Sequence, residues 1–253
     1  RPQLVVGLTG CTVHADEKDL KPHLEPVDVL FDTLNAKPLL ATLARTTPAT
    51  PPTHDDVEAQ PRPPAGSVNR FVNIIYGCDK RCTYCIVPFR RGAQRSRPLI
   101  EITDEVRRYR DEGAREITLL GQIVNAYGFD MDGTSLPDVL EAVDAIDNID
   151  RIRFTTAHPR YMNRPLAEAM RDIPSVCEEI NLPVQSGDDE VLKRMARGYN
   201  TAFYRDIIDL LRSTIPEVSI STDIIVGFCG EQEAQFERSL KLVKDLRFDQ
   251  VHV

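Results

Sequence analysis

The chain has 253 residues, a formal net charge of -8 at pH 7, and a composition that is 42% hydrophobic and 28% charged. This balance is typical of a globular protein and excludes a disordered one, while the acidic charge argues against a globally cationic nucleic-acid binder but leaves a local basic patch open. No apolar run approaches the roughly 18 residues that a membrane-spanning helix needs.

The start of the chain and its cysteines bear on cellular location. The chain begins at Arg1 without a methionine or a basic-then-apolar leader, so we expect a truncated start and no secretion. Its six cysteines would be an even set for disulfides in a small secreted protein. In a reducing cytoplasm, the expected location, a tight cysteine group instead indicates metal ligation.

The first part of the chain predicts a fragment of a small α/β domain followed by a linker. Residues 4–8 and 27–31 are short apolar runs typical of buried strands. Residues 46–69 carry six of the 18 prolines and no hydrophobic period, which predicts a semi-extended linker. We therefore predict part of an N-terminal domain over 1–45, a linker over 46–69, and a second domain over 70–253.

The second domain predicts parallel βα units, because strand-like and helix-like segments alternate along it. The strand candidates are 71–75, 116–120, 152–155, 179–183, 218–225 and 248–253. Helices are expected near 102–112, 136–147, 163–171, 188–197, 201–213 and 232–246. These repeats predict an α/β fold, a partial (β/α)6 TIM-like barrel. Its last strand coincides with the end of the chain, so we expect the domain to be truncated there.

Capping residues set the expected limits of these helices. Thr103 is expected at the start of the first helix and Gly113 at its end, Ser135 at the start of the second, and Gly198 at the end of the fourth. The last helix is expected to face the core with a stripe at i, i+4 and i+7, formed by Phe236, Leu240 and Val243.

A cysteine motif follows the first predicted strand. Cys78, Cys82 and Cys85 have the spacing C-x3-C-x2-C, close enough for one loop to wrap an iron-sulfur cluster, whose protein ligands are thiolates. Three ligands leave one iron of a 4Fe-4S cluster open, and the amino and carboxylate groups of S-adenosylmethionine (SAM) can chelate it. A zinc knuckle is the structural alternative, but structural zinc takes four ligands, and no nearby His or Cys supplies the fourth.

Other loops after strands predict the rest of a cofactor site, because barrels of this type hold their chemistry at the C-terminal ends of the strands. Gly121 and Gln122 end the second strand. Gln185 and Ser186 follow the fourth strand with polar side chains suited to ribose hydroxyls, or alternatively cap the next helix. Gly227, after the fifth strand, allows close approach of the backbone to a ligand.

The cysteine spacing, with Tyr84 directly before Cys85, resembles the shared signature of the radical SAM superfamily, and Tyr84 is expected to contact the cofactor. Over essentially the whole chain, longer stretches resemble one family within it, the radical SAM methylthiotransferases. These stretches are 8–11, 76–98, 119–128, 155–160, 181–187 and 223–231. The barrel is accordingly expected to be of the radical SAM type.

Two stretches are similar to one branch of that family. Residues 124–127 and 157–159 resemble the branch that methylthiolates N6-isopentenyladenosine beside the anticodon of tRNA. The branches that act on threonylcarbamoyl-adenosine and on a ribosomal-protein aspartate differ there, and they stay as alternatives.

The resemblance implies SAM and two 4Fe-4S clusters, one of them at Cys78, Cys82 and Cys85. An auxiliary cluster would be bound by three cysteines of an N-terminal domain, and Cys11 matches the last of them. The other two would precede Arg1, so this chain is expected to lack a complete auxiliary site, and the family's C-terminal RNA-binding domain as well. In the implied reaction, one SAM methylates a sulfur of the auxiliary cluster and a second yields the radical that abstracts hydrogen from C2 of the adenine.

The chain departs from the usual pattern of the superfamily at one position and from that of the family at two. Gln122 stands where the superfamily usually has a glutamate in a turn that meets the methionine amino group, and the backbone carbonyls there are still expected to serve. Cys229 stands in place of a proline and Asn181 in place of a histidine. Neither change removes a cluster ligand, and both are expected to alter the SAM pocket slightly.

Basic residues near the cysteines suit an RNA substrate. Five arginines lie in or just after the loop, namely Arg81, Arg90, Arg91, Arg95 and Arg97. Tyr84 and Phe89 are interleaved with them, which suits the phosphates and stacked bases of an anticodon stem-loop, whereas a solvated charged loop is the alternative. His158 is expected to contact the substrate or to satisfy its own loop. A flavodoxin or ferredoxin as electron donor and a monomeric state are also expected.

Three other functions stay open from sequence. The first is a radical SAM reaction on a peptide or a small molecule. The second is an iron-sulfur electron carrier, which predicts four cysteines per cluster where only three are grouped here. The third is a catalytically incomplete fragment that acts as an RNA-binding module.

Overall fold

A computed structural model of the protein describes residues 5–9, 27–31, 36–46, 67–131 and 133–253. The chain divides into two compact units, Arg1–Arg62 and Pro63–Val253. Most of the segment predicted as a linker lies outside the described residues, so the domain limits at 1–45, 46–69 and 70–253 stay a prediction.

The first unit contains two short parallel strands and one helix in its described part. Strand β1 (Gly7–Leu8) pairs with β2 (Val29–Leu30), and both lie within segments predicted as strands. The amide of Val6 donates to the carboxylate of Asp28 at 2.8 Å, which fixes the approach to β1. Helix α1 (Lys37–Thr46) follows and was not predicted from sequence. Cys11 lies outside the described residues.

The second unit alternates strands and helices. Its strands are β3 (Asn69–Asn73), β4 (Ile75–Tyr76), β5 (Arg95–Ser96), β6 (Glu116–Leu120), β7 (Arg151–Phe154), β8 (Glu179–Asn181), β9 (Ser219–Asp223) and β10 (Gln250–His252). Its α-helices are α2 (Val87–Arg91), α3 (Leu99–Asp111), α4 (Leu136–Asp144), α5 (Arg164–Asp172), α6 (Asp189–Arg194), α7 (Thr201–Thr214) and α8 (Glu233–Leu246). Short 3-10 turns cover Val124–Ala126 and Pro159–Tyr161.

Six parallel strands form the barrel wall in chain order. Strands β3, β6 and β7 make one sheet, and β8, β9 and β10 make the other. The sheets are joined at Ile152, whose amide donates to Ser175 O at 2.7 Å and whose carbonyl accepts from Cys177 N at 3.0 Å. The predicted α/β fold with a partial (β/α)6 barrel is confirmed.

The barrel core explains why these segments adopt these structures. The strands contribute fully buried residues, which include Val72, Ile117, Leu119, Ile152, Ile180 and Ile220. Their neighbours along each strand are exposed or half-buried, except for the buried Thr118 in β6. Helices pack apolar faces against them through fully buried residues such as Ile102, Val106, Leu140, Ile208 and Leu211. Each such side chain contributes about 1.5–3 kcal/mol by leaving water, so the hydrophobic period drives both kinds of element inward.

The helix limits agree with the predicted caps at two places. Ser135 is the N-cap of α4 in a capping box with Asp138, as expected. Helix α3 ends just before Gly113, which has a φ of +95°. Both residues have the chemistry that their positions demand.

Two expected caps are wrong. Thr103 lies inside α3, with its hydroxyl donating to Ile100 O at 3.0 Å, because the helix already begins after Pro98, whose carbonyl accepts from the amides of the first turn. Proline suits a helix start because its φ is fixed and no amide is lost. Helix α6 ends at Arg194 rather than at Gly198, since Ala196 already adopts a positive φ.

No helix in the described part of the chain combines the length and apolarity needed to cross a bilayer.

Candidate active site

The cysteine loop begins at Gly77, a position that only glycine can occupy. Gly77 has a φ of +67°, and a Cβ there would lie 2.1 Å from the carbonyl oxygen of Ala93. The next amide, that of Cys78, donates to Gly92 O at 3.1 Å. Antiparallel pairing of β4 with β5 then brings the two ends of segment 77–94 together. The loop is therefore closed on itself at its base.

A second anchor holds the far side of the loop against the end of α6. The amide of Thr83 donates to Met195 O at 3.1 Å, and its hydroxyl donates to Arg194 O at 2.9 Å. Within the loop, Cys85 N donates to Cys82 O at 2.9 Å, which makes a turn. These backbone contacts fix the cysteines relative to the barrel.

The three cysteines line one cavity whose empty volume is about 670 Å³, with the open solvent at its mouth included. Cys78 and Cys82 are each 9% exposed, and Cys85 is half-buried. The ends of four strands and the loops after them supply further polar lining residues, which are Gln122 after β6, Thr156 and His158 after β7, Gln185 after β8, and Asp223 at the end of β9. The cavity thus opens at the C-terminal ends of the strands, where barrel enzymes hold their active sites.

The three thiols belong to one loop and line the same cavity. Thiolates are the protein ligands of iron-sulfur clusters, and each thiolate binds a different iron. The donor set therefore fits a cluster held by Cys78, Cys82 and Cys85. Among residues 5–9, 27–31, 36–46, 67–131 and 133–253, no three cysteine, histidine or carboxylate side chains form a site for a single metal ion.

The environment of Cys78 favours its protonated form when no metal is bound. Burial raises the pKa of this thiol most, and the neighbouring Cys82 and Cys85 raise it further, while a hydrogen bond from the amide of Lys80 to its sulfur at 3.4 Å acts in the opposite direction. Metal binding must displace the protons of such thiols, so the charge of the metal offsets the cost of burying the thiolates.

The structure brings seven of the predicted site residues to this cavity. They are Cys78, Cys82, Cys85, Tyr84, Gln122, Gln185 and His158. The cysteines and Tyr84 were recognisable because they lie close together in one loop. Gln122, Gln185 and His158 reach the cavity only through the barrel topology.

Ser186 and two glycines are not among the lining residues. Ser186 is fully buried, and its hydroxyl accepts from Asp188 N at 3.2 Å, whereas the N-cap of α6 is Asp188, whose carboxylate accepts from Val191 N at 3.0 Å. Gly121 packs on Ile75, where a Cβ would lie 2.1 Å from a methyl group. Gly227 is exposed, and its amide donates to Glu231 Oε2 at 2.6 Å.

The predicted arginines fall into two groups. Arg97 is held by Glu105 at 2.7 Å, so its charge stabilises the barrel. Arg90 and Arg91 end α2, Arg95 lies in β5, and none of these three forms an ion pair with a described carboxylate. Phe89, on the same short helix, is 73% exposed. This surface, formed by Phe89, Arg90, Arg91 and Arg95, is hereafter the α2 patch.

Sequence reasoning missed several lining residues. Arg197 follows α6 and is 7% exposed, and Asp223 is the last residue of β9. Thr156 was also missed, and it shares with the predicted Gln185 a positive φ, +62° and +72°, which residues other than glycine rarely adopt. Such backbone strain concentrates at functional sites. Of the missed residues, Asp223 and Thr156 had a sequence signal, because they lie in the stretches 223–231 and 155–160.

The backbone of His158 is held by the side chain of Asn125. Its amide donates to Asn125 Oδ1 at 2.8 Å, and its carbonyl accepts from Asn125 Nδ2 at 3.1 Å. Its Nδ1 accepts from Arg160 N at 3.2 Å, while Nε2 is buried and has no hydrogen-bond partner among the described residues. Burial, followed by the charges of Arg197, Lys80 and Arg160, lowers the pKa of His158 to about 2. The ring is therefore neutral, with its proton on Nε2.

Comparison with known proteins gives a family match over most of the barrel. The profile described as "Radical SAM superfamily" matches residues 72–243. This range begins within β3 and ends within α8.

Curated relatives share one name. Proteins called "tRNA-2-methylthio-N(6)-dimethylallyladenosine synthase" from Herpetosiphon aurantiacus and Chlorobium phaeobacteroides are 50% identical over 187 residues and 43% identical over 258 residues. These alignments cover 74% and 99% of this chain. The relative from Caldicellulosiruptor saccharolyticus is 42% identical over 100% of the chain. The chain spans 43%, 58% and 56% of the three relatives' own lengths.

Solved structures agree on the fold. A radical SAM methyltransferase from Kitasatospora setae, with tryptophan substrate and a SAM analogue bound, has a TM-score of 0.60 at 16% identity and covers 72% of this chain and 35% of its own. Coproporphyrinogen III oxidase from Escherichia coli, described as a radical SAM enzyme, has a TM-score of 0.53 at 16% identity, with 72% and 43% covered.

Proposed function

The chain belongs to the radical SAM superfamily, and from that premise we propose that it is the catalytic core of a tRNA methylthiotransferase that modifies C2 of N6-isopentenyladenosine beside the anticodon. One observation carries the proposal: three thiols of a single loop line a cavity to which the loops after four further strands add polar side chains. The shared name of the three relatives supports the substrate.

Cys78, Cys82 and Cys85 would hold the 4Fe-4S cluster. When bound, the cluster would supply the electron for reductive cleavage of SAM. The chain's own contribution is enclosure, because Cys78 and Cys82 are buried and the barrel wall excludes water from the cavity. Stray water or hydrogen donors would otherwise quench a radical.

The cavity offers SAM both donors and acceptors. The side-chain amides of Gln122 and Gln185 and the carboxylate of Asp223 line it, and these groups suit the amino group and the ribose hydroxyls. Asp223 is held by the Asn181 side chain, whose amide lies 3.5 Å from its Oδ1. Asn181 therefore contacts a lining residue rather than the cavity itself. It differs from the usual residue of the resembled family at this position.

The α2 patch is proposed to bind the anticodon stem-loop. Its arginines lack ion pairs with described carboxylates, so their charges are available to phosphates, and the exposed ring of Phe89 offers a stacking surface. The target adenine must be turned out of the loop to enter a cavity of this kind.

Sulfur insertion is proposed to need an auxiliary 4Fe-4S cluster with Cys11 as one ligand, in a protein as long as the curated relatives. A flavodoxin or ferredoxin would deliver the electrons. We further propose that the enzyme acts as a monomer in the cytoplasm, where its tRNA substrate is found.

The cluster site is tested by anaerobic reconstitution. We expect the chain to bind about four irons and to form 5'-deoxyadenosine from SAM under dithionite. Cys82→Ala should lose both, because one of three ligands is removed. Cys229→Ala is the matched control, since this exposed cysteine is not among the cavity-lining residues, and it should keep both. One equivalent of zinc without visible absorption would contradict the proposal.

A further inference from the structure

Arg197 is a buried cation at the cluster end of the barrel. It follows α6, lines the cavity, and is 7% exposed. Its polar contacts among the described residues are with hydroxyl, carbonyl and sulfur atoms, and none is with a carboxylate. A buried charge without a counter-charge is strongly unfavourable, so the site must supply one.

The hydrogen-bond partners of Arg197 show which groups cannot supply that counter-charge. Its Nε donates to the Tyr199 hydroxyl at 2.9 Å, and one terminal nitrogen donates to the Tyr84 hydroxyl at 3.2 Å. The other terminal nitrogen donates to Pro183 O at 3.0 Å. Both phenols are neutral near pH 7, since the ordinary pKa of a tyrosine hydroxyl is about 10.

The remaining partner is a cluster ligand. The nitrogen that reaches Tyr84 also donates to Cys82 Sγ at 3.5 Å. Of the four partners, only this sulfur becomes an anion under working conditions, and it does so when it binds iron. Three thiolates outweigh the charge of a cluster core, so the loaded site is anionic and reduction adds one more negative charge.

We propose that Arg197 is a positioning residue that supplies the counter-charge of the cluster and raises its reduction potential through the hydrogen bond to Cys82. A nearby cation stabilises the reduced state more than the oxidised state, and hydrogen bonds to cluster sulfurs act in the same direction. The same guanidinium ties the cysteine loop to the loop after β8 through Pro183. This inference rests on the cluster part of the proposed function.

The test is a redox titration of the reconstituted chain without SAM, followed by electron paramagnetic resonance, with iron counted for every variant. Arg197→Met removes the charge and the donors, Arg197→Gln removes the charge but keeps a donor, and Arg197→Lys keeps the charge. Arg194→Met is the matched control, because Arg194 bonds to Cys229 O and Gln235 and lies outside the cavity lining.

We expect the reduction potential of the cluster to fall by at least about 59 mV in both neutral variants. For a one-electron couple, this is a tenfold shift of the equilibrium away from the reduced form. Arg197→Lys should stay closer to the original chain, and Arg194→Met should match it. Cluster loss in both neutral variants, with loading kept in Arg197→Lys, would equally support a counter-charge.

An unchanged potential in fully loaded Arg197→Met would overturn the inference and would leave a role confined to binding SAM. Cluster loss in Arg197→Lys as well would also overturn it, because the shape of the side chain rather than its charge would then matter. If the unaltered chain binds no iron, the proposed function fails first, so the two failures are distinguishable.

Discussion

The imidazole of His158 has a hydrogen-bond donor, Nε2, that has no partner among the described residues. Nδ1 accepts from Arg160 N, which leaves the proton on Nε2, and that atom is buried without a partner among the described residues. A buried polar atom without a partner is unfavourable, so such a group calls for a ligand that satisfies it. The expectation that His158 satisfies its own loop applies to Nδ1. Contact of Nε2 with a substrate that offers an acceptor atom stays a prediction.

The low pKa of His158 has a measurable consequence for stability. The pKa of about 2 in the folded chain lies below the ordinary histidine value of 6.5. The contribution of His158 to stability is therefore present above pH 6.5 and is lost as pH falls below it, because the unfolded chain then binds a proton that the folded chain does not. In cluster-free protein, the unfolding free energy of the original chain relative to His158→Gln should fall by about 1.4 kcal/mol between about pH 7.5 and about pH 5.5. Denaturant unfolding at both pH values measures this difference.

A packing variant serves as the control for this prediction. Ile180→Val leaves titration unchanged at a fully buried position in β8, and it should cost about 0.5–1.5 kcal/mol equally at both pH values. A His158→Gln difference that is also independent of pH would mean that the folded ring takes up its proton normally.

Residues of the site differ in how far sequence could predict them. The cysteines were predictable because ligands of one cluster lie within one loop. Arg197 was not, because its contact with Cys82 joins residues 115 positions apart and exists only after the barrel has formed. Its local sequence, at the end of a short charged helix, is equally typical of a solvated surface.

At the scale of elements, strands were predicted better than helix faces. On α8 the predicted stripe is right at Val243, which packs against the core, but wrong at Leu240, which is 37% exposed, while Phe236 is half-buried. The buried residues of the helix are Ser239, Leu242 and Leu246. The reason is a close approach between distant segments. Gly187 N donates to Ser239 Oγ at 2.8 Å, and a Cβ on Gly187 would lie 2.5 Å from Ser239 Cα. A small polar residue therefore occupies the core-facing position, which hydrophobicity alone does not reveal.

The role of the α2 patch can be tested by the salt dependence of tRNA binding. If Arg90, Arg91 and Arg95 neutralise phosphates of the anticodon stem-loop, replacing each by glutamine should weaken tRNA binding and flatten its salt dependence by about 0.7–0.9 log units per lost contact. SAM cleavage without tRNA should persist. Fluorescence titrations of labelled tRNA at several salt concentrations measure the slope.

Arg171→Gln is the control for the α2 patch. This arginine is in the last turn of α5 and is paired with Asp172, so the salt slope should not change. An equally steep slope in the triple variant would assign the α2 patch to a solvated charged loop.

The whole molecule is expected to perform only part of the proposed reaction. Sulfur insertion needs the auxiliary cluster in addition to the radical, and the chain spans only 43% to 58% of its curated relatives. We therefore expect the chain to cleave SAM yet to make no 2-methylthio product from isopentenylated tRNA. Extending it to the length of the relatives should restore the product. Mass spectrometry of nucleosides from digested tRNA measures it.

Cys11 provides the variant that isolates this step. In the extended protein, Cys11→Ala should abolish the product while SAM cleavage survives, because the cluster at Cys78, Cys82 and Cys85 is untouched. Product from the short chain, or a normal yield from the Cys11 variant, would mean that the sulfur comes from another source. Product on threonylcarbamoyl-adenosine instead would favour the alternative branch.

The closed base of the cysteine loop has a consequence for how the site matures. The predicted cluster ligands span only residues 78–85, and the pairing of Ile75 with Ser96 closes the segment that contains them, so little chain entropy is lost when these side chains gather. The walls of the cavity, in contrast, come from residues as far along the chain as Asp223, and bringing such distant residues together costs more chain entropy. We therefore expect loading of iron and sulfur to depend on a short local segment, and protection of the loaded cluster from oxygen to depend on the completed barrel.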